Sequence, residues 1–102
     1  MKVEWVYEAR CEFRDFLNFY KVNVGVDYAH DFSQMIRKEV GKLAQFPEMG
    51  VLREDTLLGK HGFRALFIRQ YACIYKVEDG VVFVYHLVDA RRDYIYHIFG
   101  LR

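Results

Sequence analysis

The residues of this chain best suited to chemistry are arginines. Arg64 follows a loop containing Gly59 and Gly62 and opens a run of strand-forming residues. A guanidinium offers five donors in a rigid fork, a geometry that matches phosphate. Arg64 could equally pair with an acidic neighbour or reach water along its aliphatic stem. Arg91 and Arg92 are adjacent, so at most one of them faces a given groove. They suit phosphate or a partner's carboxylate, and Asp89 and Asp93 beside them offer a plain ion pair instead. Lys60 and His61 stand in the loop before Arg64, as contacts for a partner or as solvated charges. Tyr94, Tyr96 and His97 gather near the C-terminus, where Tyr94 could pack under a sheet and His97 lie in water. Glu48 and Glu54 qualify as general bases only by lying near the same loop. His86 sits in an apolar run and reads as a hydrogen-bonded core histidine. The four histidines show no metal-ligand spacing, and neither a phosphate-cradling glycine motif nor a nucleophile elbow occurs. No metal or other cofactor is expected.

Positioning such residues requires a fold, and the composition supplies one. A chain of 102 residues makes a single domain, 1–102. It is 53% hydrophobic and 18% aromatic, enough bulk for a core and too much for a disordered segment. The net charge is +1 with a slight basic tilt in the second half, weaker than the excess a nucleic-acid binder usually carries. Cys11 and Cys73 make no Cys-x-x-Cys motif and read as small reduced core residues. The N-terminus lacks signal-peptide character, and no apolar run is long enough to span a bilayer. A soluble cytoplasmic protein with no membrane contact is the expectation.

Periodicity gives the element order. Val3 to Tyr7 alternates as a short strand does. Phe13, Phe16, Leu17 and Tyr20 form an apolar stripe on a helix from about Glu8 to Val22, broken at Gly25. Asp27 should cap a second helix carrying Ala29, Phe32, Ile36, Val40 and Leu43, ending near Phe46 because Pro47 disfavours helix before it. Residues 48–62 read as a loop with at most a turn of structure. Strands come next at 63–69, 71–77 and 81–88, with Glu78-Asp79-Gly80 as a tight turn and the last strand buried on both faces. A short helix or turn at 89–99 closes the chain. Two amphipathic helices in succession imply a helical hairpin lying on a sheet.

Four pieces of this order resemble the RelE/ParE superfamily of toxins from type II toxin–antitoxin modules. Leu43-Ala44-Gln45-Phe46-Pro47-Glu48-Met49-Gly50 is similar to a family step of the form L-x-x-x-P-x-x-G. Leu58 to Arg64 is similar to the stretch that leads into an arginine-bearing strand. Arg69-Gln70-Tyr71-Ala72-Cys73-Ile74-Tyr75-Lys76-Val77 is similar to the Y-x-I-x-Y-x-V strand, and Val88 to Tyr94 to the terminal H-x-R-R-D-Y signature. The resemblance implies an α+β fold: a small twisted, mainly antiparallel sheet, two N-terminal helices on one face and a short C-terminal helix. It also implies a cognate antitoxin as partner. One branch of the superfamily cleaves mRNA on the ribosome without metal, and the other inhibits DNA gyrase. For an mRNA endoribonuclease, the reading preferred on sequence grounds, the resemblance makes Arg64, Arg92 and Tyr96 the catalytic groups. Lys60, His61, Arg91, Tyr94 and His97 would then contact RNA or a partner. A gyrase inhibitor and a non-toxic binding module are the alternatives. Family members often carry histidine two residues before the arginine pair, where this chain has Asp89. An acid there would repel phosphate. The catalytic reading requires Arg64 and the Arg91–Arg92 doublet to meet in one cleft.

Overall fold

A computed structural model describes residues 1–92. The chain runs β1 (Lys2–Trp5), α1 (Tyr7–Asn23), α2 (Val26–Gly41), a 3-10 turn (Lys42–Ala44), α3 (Leu57–Lys60), β2 (Arg64–Ile68), β3 (Tyr71–Glu78) and β4 (Val81–Asp89). The strands form one sheet in the order β1-β4-β3-β2. β1 runs parallel to β4, and the other pairings are antiparallel. This is the expected α+β arrangement. The expected terminal helix falls on residues 93–102, outside the described ones, and Asp89 belongs to β4.

The helical hairpin covers one face of the sheet. Ala9 and Phe13 of α1 and Phe32, Ile36 and Val40 of α2 are buried at helical spacing, against Tyr71, Cys73, Tyr75, Val82, Val84 and Leu87 of the strands. Each Val, Leu, Ile or Phe side chain among them contributes about 1.5–3 kcal/mol on leaving water, so this contact is the main source of stability. The opposite face holds a smaller cluster of Leu58, Ala72, Ile74 and Val88, covered by the segment that contains α3. α3 itself is capped by Thr56, whose hydroxyl accepts from the Gly59 amide at 3.2 Å.

Three local expectations need correction. Asp27 does not cap α2. Gly25 does, at φ 149, which a side-chain-bearing residue rarely adopts, and Asp27 lies in the first turn where its charge suits the helix dipole. α2 ends at Gly41 and tightens into the 3-10 turn, so the helical run stops before Phe46. β4 is not buried on both faces throughout: Val82 and Val84 are buried, while Val81, Phe83 and Tyr85 are half-buried. The far-face cover reaches only the second half of the strand.

A register shift sets where that second half points. Tyr75 pairs with Val84 and Ile74 pairs with His86, so Tyr85 is an extra residue in the ladder. The inward positions change from Val82 and Val84 to Leu87. A bulge of this kind bends the strand and re-aims the side chains beyond it. At the other end of β4, Asp79 and Gly80 at φ 52 and 75 make the two-residue turn from β3.

Candidate functional site

β1 is shorter than the strand it borders. Their last hydrogen bond is Val6 N to Val84 O at 3.0 Å, after which the chain turns into α1. From Tyr85 to Asp89, β4 therefore has no strand on that side. An acidic side chain of α1 substitutes for it. Glu12 Oε1 accepts the Leu87 amide at 3.0 Å, and its other oxygen lies 3.1 Å from His86 Nδ1. His86 is thus satisfied as expected, but at the sheet margin and by a carboxylate rather than in the core.

Between this free edge and α1 runs a groove of about 800 Å³. Phe16, Leu87 and Val88 give it an apolar floor, and Phe19, 59% exposed, stands at its rim. Asp89, Arg91 and Arg92 close one end. Beside them, Tyr20 pairs its hydroxyl with that of Tyr71, which also accepts from Gln70 Nε2 at 3.3 Å. Burial pushes the Tyr20 phenol up, and Tyr28 and Asp89 add to the shift. It stays a neutral donor and acceptor.

Asp89 has a clear task. Arg91 donates to it twice through the guanidinium, Nε to Oδ1 at 3.0 Å and Nη2 to Oδ2 at 2.8 Å, and once through its backbone amide at 2.9 Å. The guanidinium's hydrogen bonds lead in holding the Asp89 carboxyl down at about 2. The ion-pair alternative for Arg91 is the one realised. The Arg92 amide donates to the Asp89 carbonyl at 3.1 Å, which leaves its exposed side chain on the groove wall.

Arg64 is elsewhere. Its Nη1 donates to the Gly50 carbonyl at 2.9 Å and lies 3.5 Å from the Glu48 carbonyl. The Tyr75 hydroxyl works on the same loop, donating to Pro47 O at 2.7 Å and accepting from Gly50 N at 2.8 Å. Gly50 lies so close that an added Cβ would stand 2.6 Å from the Tyr75 ring. Arg64 is therefore a buttress for residues 47–50. Its strand position is opposite Tyr75, whereas Asp89 is opposite Tyr71, which pairs with Ile68. Four residues along and two strands across separate the two arginine sites, about 13 Å by about 10 Å. The structure does not bring Arg64 and the doublet into one cleft. The physical reason is the length of β2, which carries Arg64 to the opposite end of the ladder.

Lys60 and His61 lie at the end of α3, on the side of the sheet opposite the helical hairpin, also away from the groove. Tyr94, Tyr96 and His97 lie outside the described residues. Glu54 is exposed, and Glu48 takes part through its backbone carbonyl. Both cysteines are free; Cys73 is fully buried, which pushes its thiol up to about 12, and Cys11 is half-buried. Among the described residues no group of His, Cys, Asp and Glu could hold a metal, and no helix is long and apolar enough to cross a membrane. Glu12, the residue that completes the strand edge, escaped the sequence reading. Its position on α1 gave no sign that it faces a backbone amide 75 residues away.

A helical hairpin on a four-stranded, mainly antiparallel sheet is the arrangement that the RelE/ParE resemblance implied. A chain of the chromosomal ParDE TA system from P. aeruginosa shares this fold, with a TM-score of 0.75 over 87% of this chain and 95% of that one at 20% identity. The model of the ParE toxin of the type II toxin-antitoxin system, parDE, matches residues 3–94, and the chain belongs to that family. No curated protein matches it by sequence.

Proposed function

We propose that this toxin arrests growth by inhibiting DNA gyrase rather than by cutting RNA, and that a cognate antitoxin silences it by laying a segment in the groove between α1 and β4. The observation that carries the first part is the separation of the arginines. Metal-free RNA cleavage needs positive groups and a proton carrier gathered around one phosphate. Here Arg64 is committed to the Gly50 carbonyl and Arg91 to Asp89, at different ends of the sheet. Membership in the ParE family points the same way, toward the gyrase-inhibiting branch. The preference for mRNA cleavage formed on sequence grounds therefore gives way to its alternative. The groove supports the second part. It offers an apolar floor, a rim cation at Arg92 and a strand edge with no neighbouring strand, where only a side chain, Glu12, holds the Leu87 amide; these are the parts that capture an extended or folding-on-binding segment.

Induction of the chain in bacteria tests both. DNA replication should stop before translation, with mRNA intact, and the purified chain should block supercoiling by gyrase. Early mRNA cleavage with supercoiling unaffected would overturn the gyrase reading, and unimpeded growth would favour a non-toxic module. Phe19→Glu and Arg92→Ala alter only exposed groove side chains. Each should weaken antitoxin binding by about tenfold or more while the fold is retained. Unchanged affinity in both would move the antitoxin off this groove.

A further inference from the structure

A second concave site lies on the opposite side of α1, where β1 meets the helical hairpin. It measures about 470 Å³ and is lined by Glu4, Trp5, Arg10, Phe13 and Arg37. Three features set it apart. Trp5 and Phe13 stack, with ring centroids 5.1 Å apart and planes 21° from parallel. Arg37 lies over the same Phe13 ring, 5.4 Å from its centroid, with its Nε donating to Ser33 Oγ at 3.1 Å one helical turn away. Arg10 stands one turn before Phe13 on α1.

Neither arginine has an acidic partner among the described residues. The one carboxylate in the cleft, Glu4, is already held by Lys2 at 2.7 Å. Two guanidinium groups facing one small space, against a single carboxylate that Lys2 already shares, leave the local potential positive, and an anion placed between them relieves it. Their combined charge matches that of a phosphate monoester, about −1.5 to −2 at neutral pH, better than a single carboxylate. Trp5, half-buried and backed by the buried Phe13 ring, lines the cleft with apolar surface next to that charge. The volume lies within the range of small-molecule sites, roughly 300–1,000 Å³. We propose that this cleft binds a phosphate monoester linked through a sugar to a planar ring, the chemistry of a free mononucleotide.

Trp5 is the chain's one tryptophan, so its fluorescence reports on the cleft directly. Titrating the full chain with adenosine monophosphate should give a saturable change in that signal. Inorganic phosphate should bind at least about fivefold more weakly, because it lacks the stacking ring. The double variant Arg10→Gln, Arg37→Gln should weaken binding by about tenfold or more, with an unchanged circular dichroism spectrum since both side chains are exposed. Independently of any variant, added sodium chloride should raise the dissociation constant. No saturable response, equal binding of phosphate and nucleotide, or insensitivity to both salt and the double substitution would overturn the proposal. So would tighter binding of a single-stranded oligonucleotide without terminal phosphate, which would assign the cleft to a nucleic-acid backbone, or of an acidic peptide.

Discussion

Arg64 and Arg91 each sit at one end of a strand in the same sheet, and their neighbours give them different work. Arg64 meets backbone carbonyls of the 47–50 loop and is half-buried among them. Arg91 meets one carboxylate in a bidentate grip while staying largely in water, its side chain 71% exposed. The first arrangement holds a loop that cannot satisfy its own carbonyls. The second holds a charge at the mouth of a groove where a partner could reach it. Residue type alone did not separate the two cases; the acceptors did.

Substitutions that strike one end and spare the other sharpen this contrast. Tyr75→Phe should have the largest effect. It strips partners from Pro47 O and Gly50 N together, costing about 2–4 kcal/mol. The thermal midpoint should fall by roughly 10 °C or more. A midpoint within a degree or two of the parent would mean that the loop is held by something else. Arg64→Ala comes next, with a loss of about 1–2 kcal/mol by chemical denaturation and unaltered antitoxin affinity in the folded fraction. Full stability combined with lost toxicity would restore Arg64 as a functional residue and break the comparison.

Asp89→Asn should be the mildest, and its signature is pH. The native carboxyl sits at about 2 against an ordinary 3.8, held there first by the hydrogen bond from Arg91. A depressed carboxyl stabilises the fold fully above its unfolded value, and the benefit is lost as pH falls through its folded value. The stability difference between the parent and Asp89→Asn should therefore be constant above pH 3.8 and shrink toward pH 2. The exposure of Arg91 keeps the difference small. Urea unfolding across that window measures it, and a difference growing on acidification would contradict the assignment.

The fold was largely legible because its signals are periodic. The stripe at Phe32, Ile36 and Val40 can only be a helix face, and Asp79-Gly80 after an alternating run can only be a turn. The site was less so. Its parts are set by events with no local mark: the bulge at Tyr85, the early end of β1, and the reach of Glu12 across to Leu87. Asp89 read as a departure from a pattern and as a source of repulsion. In the structure it is the acceptor that orients Arg91. The ring-and-guanidinium cleft at Trp5 assembles from three separate elements, so no window of sequence contains it.

The parallel pairing of β1 with β4 has a consequence for the timing of synthesis. Lys2 to Trp5 must wait for Val81 to Val84, the last strand of the described chain to be made. Until then the nascent helical hairpin has no completed sheet on which to bury its aromatic side. Long-range pairings of this kind form late, since loop closure must precede any reward from contact. The newly made polypeptide therefore has neither a finished sheet nor the β4 wall of its groove until residues 81–89 have left the ribosome, so the surface offered to a partner is the last thing the described chain acquires.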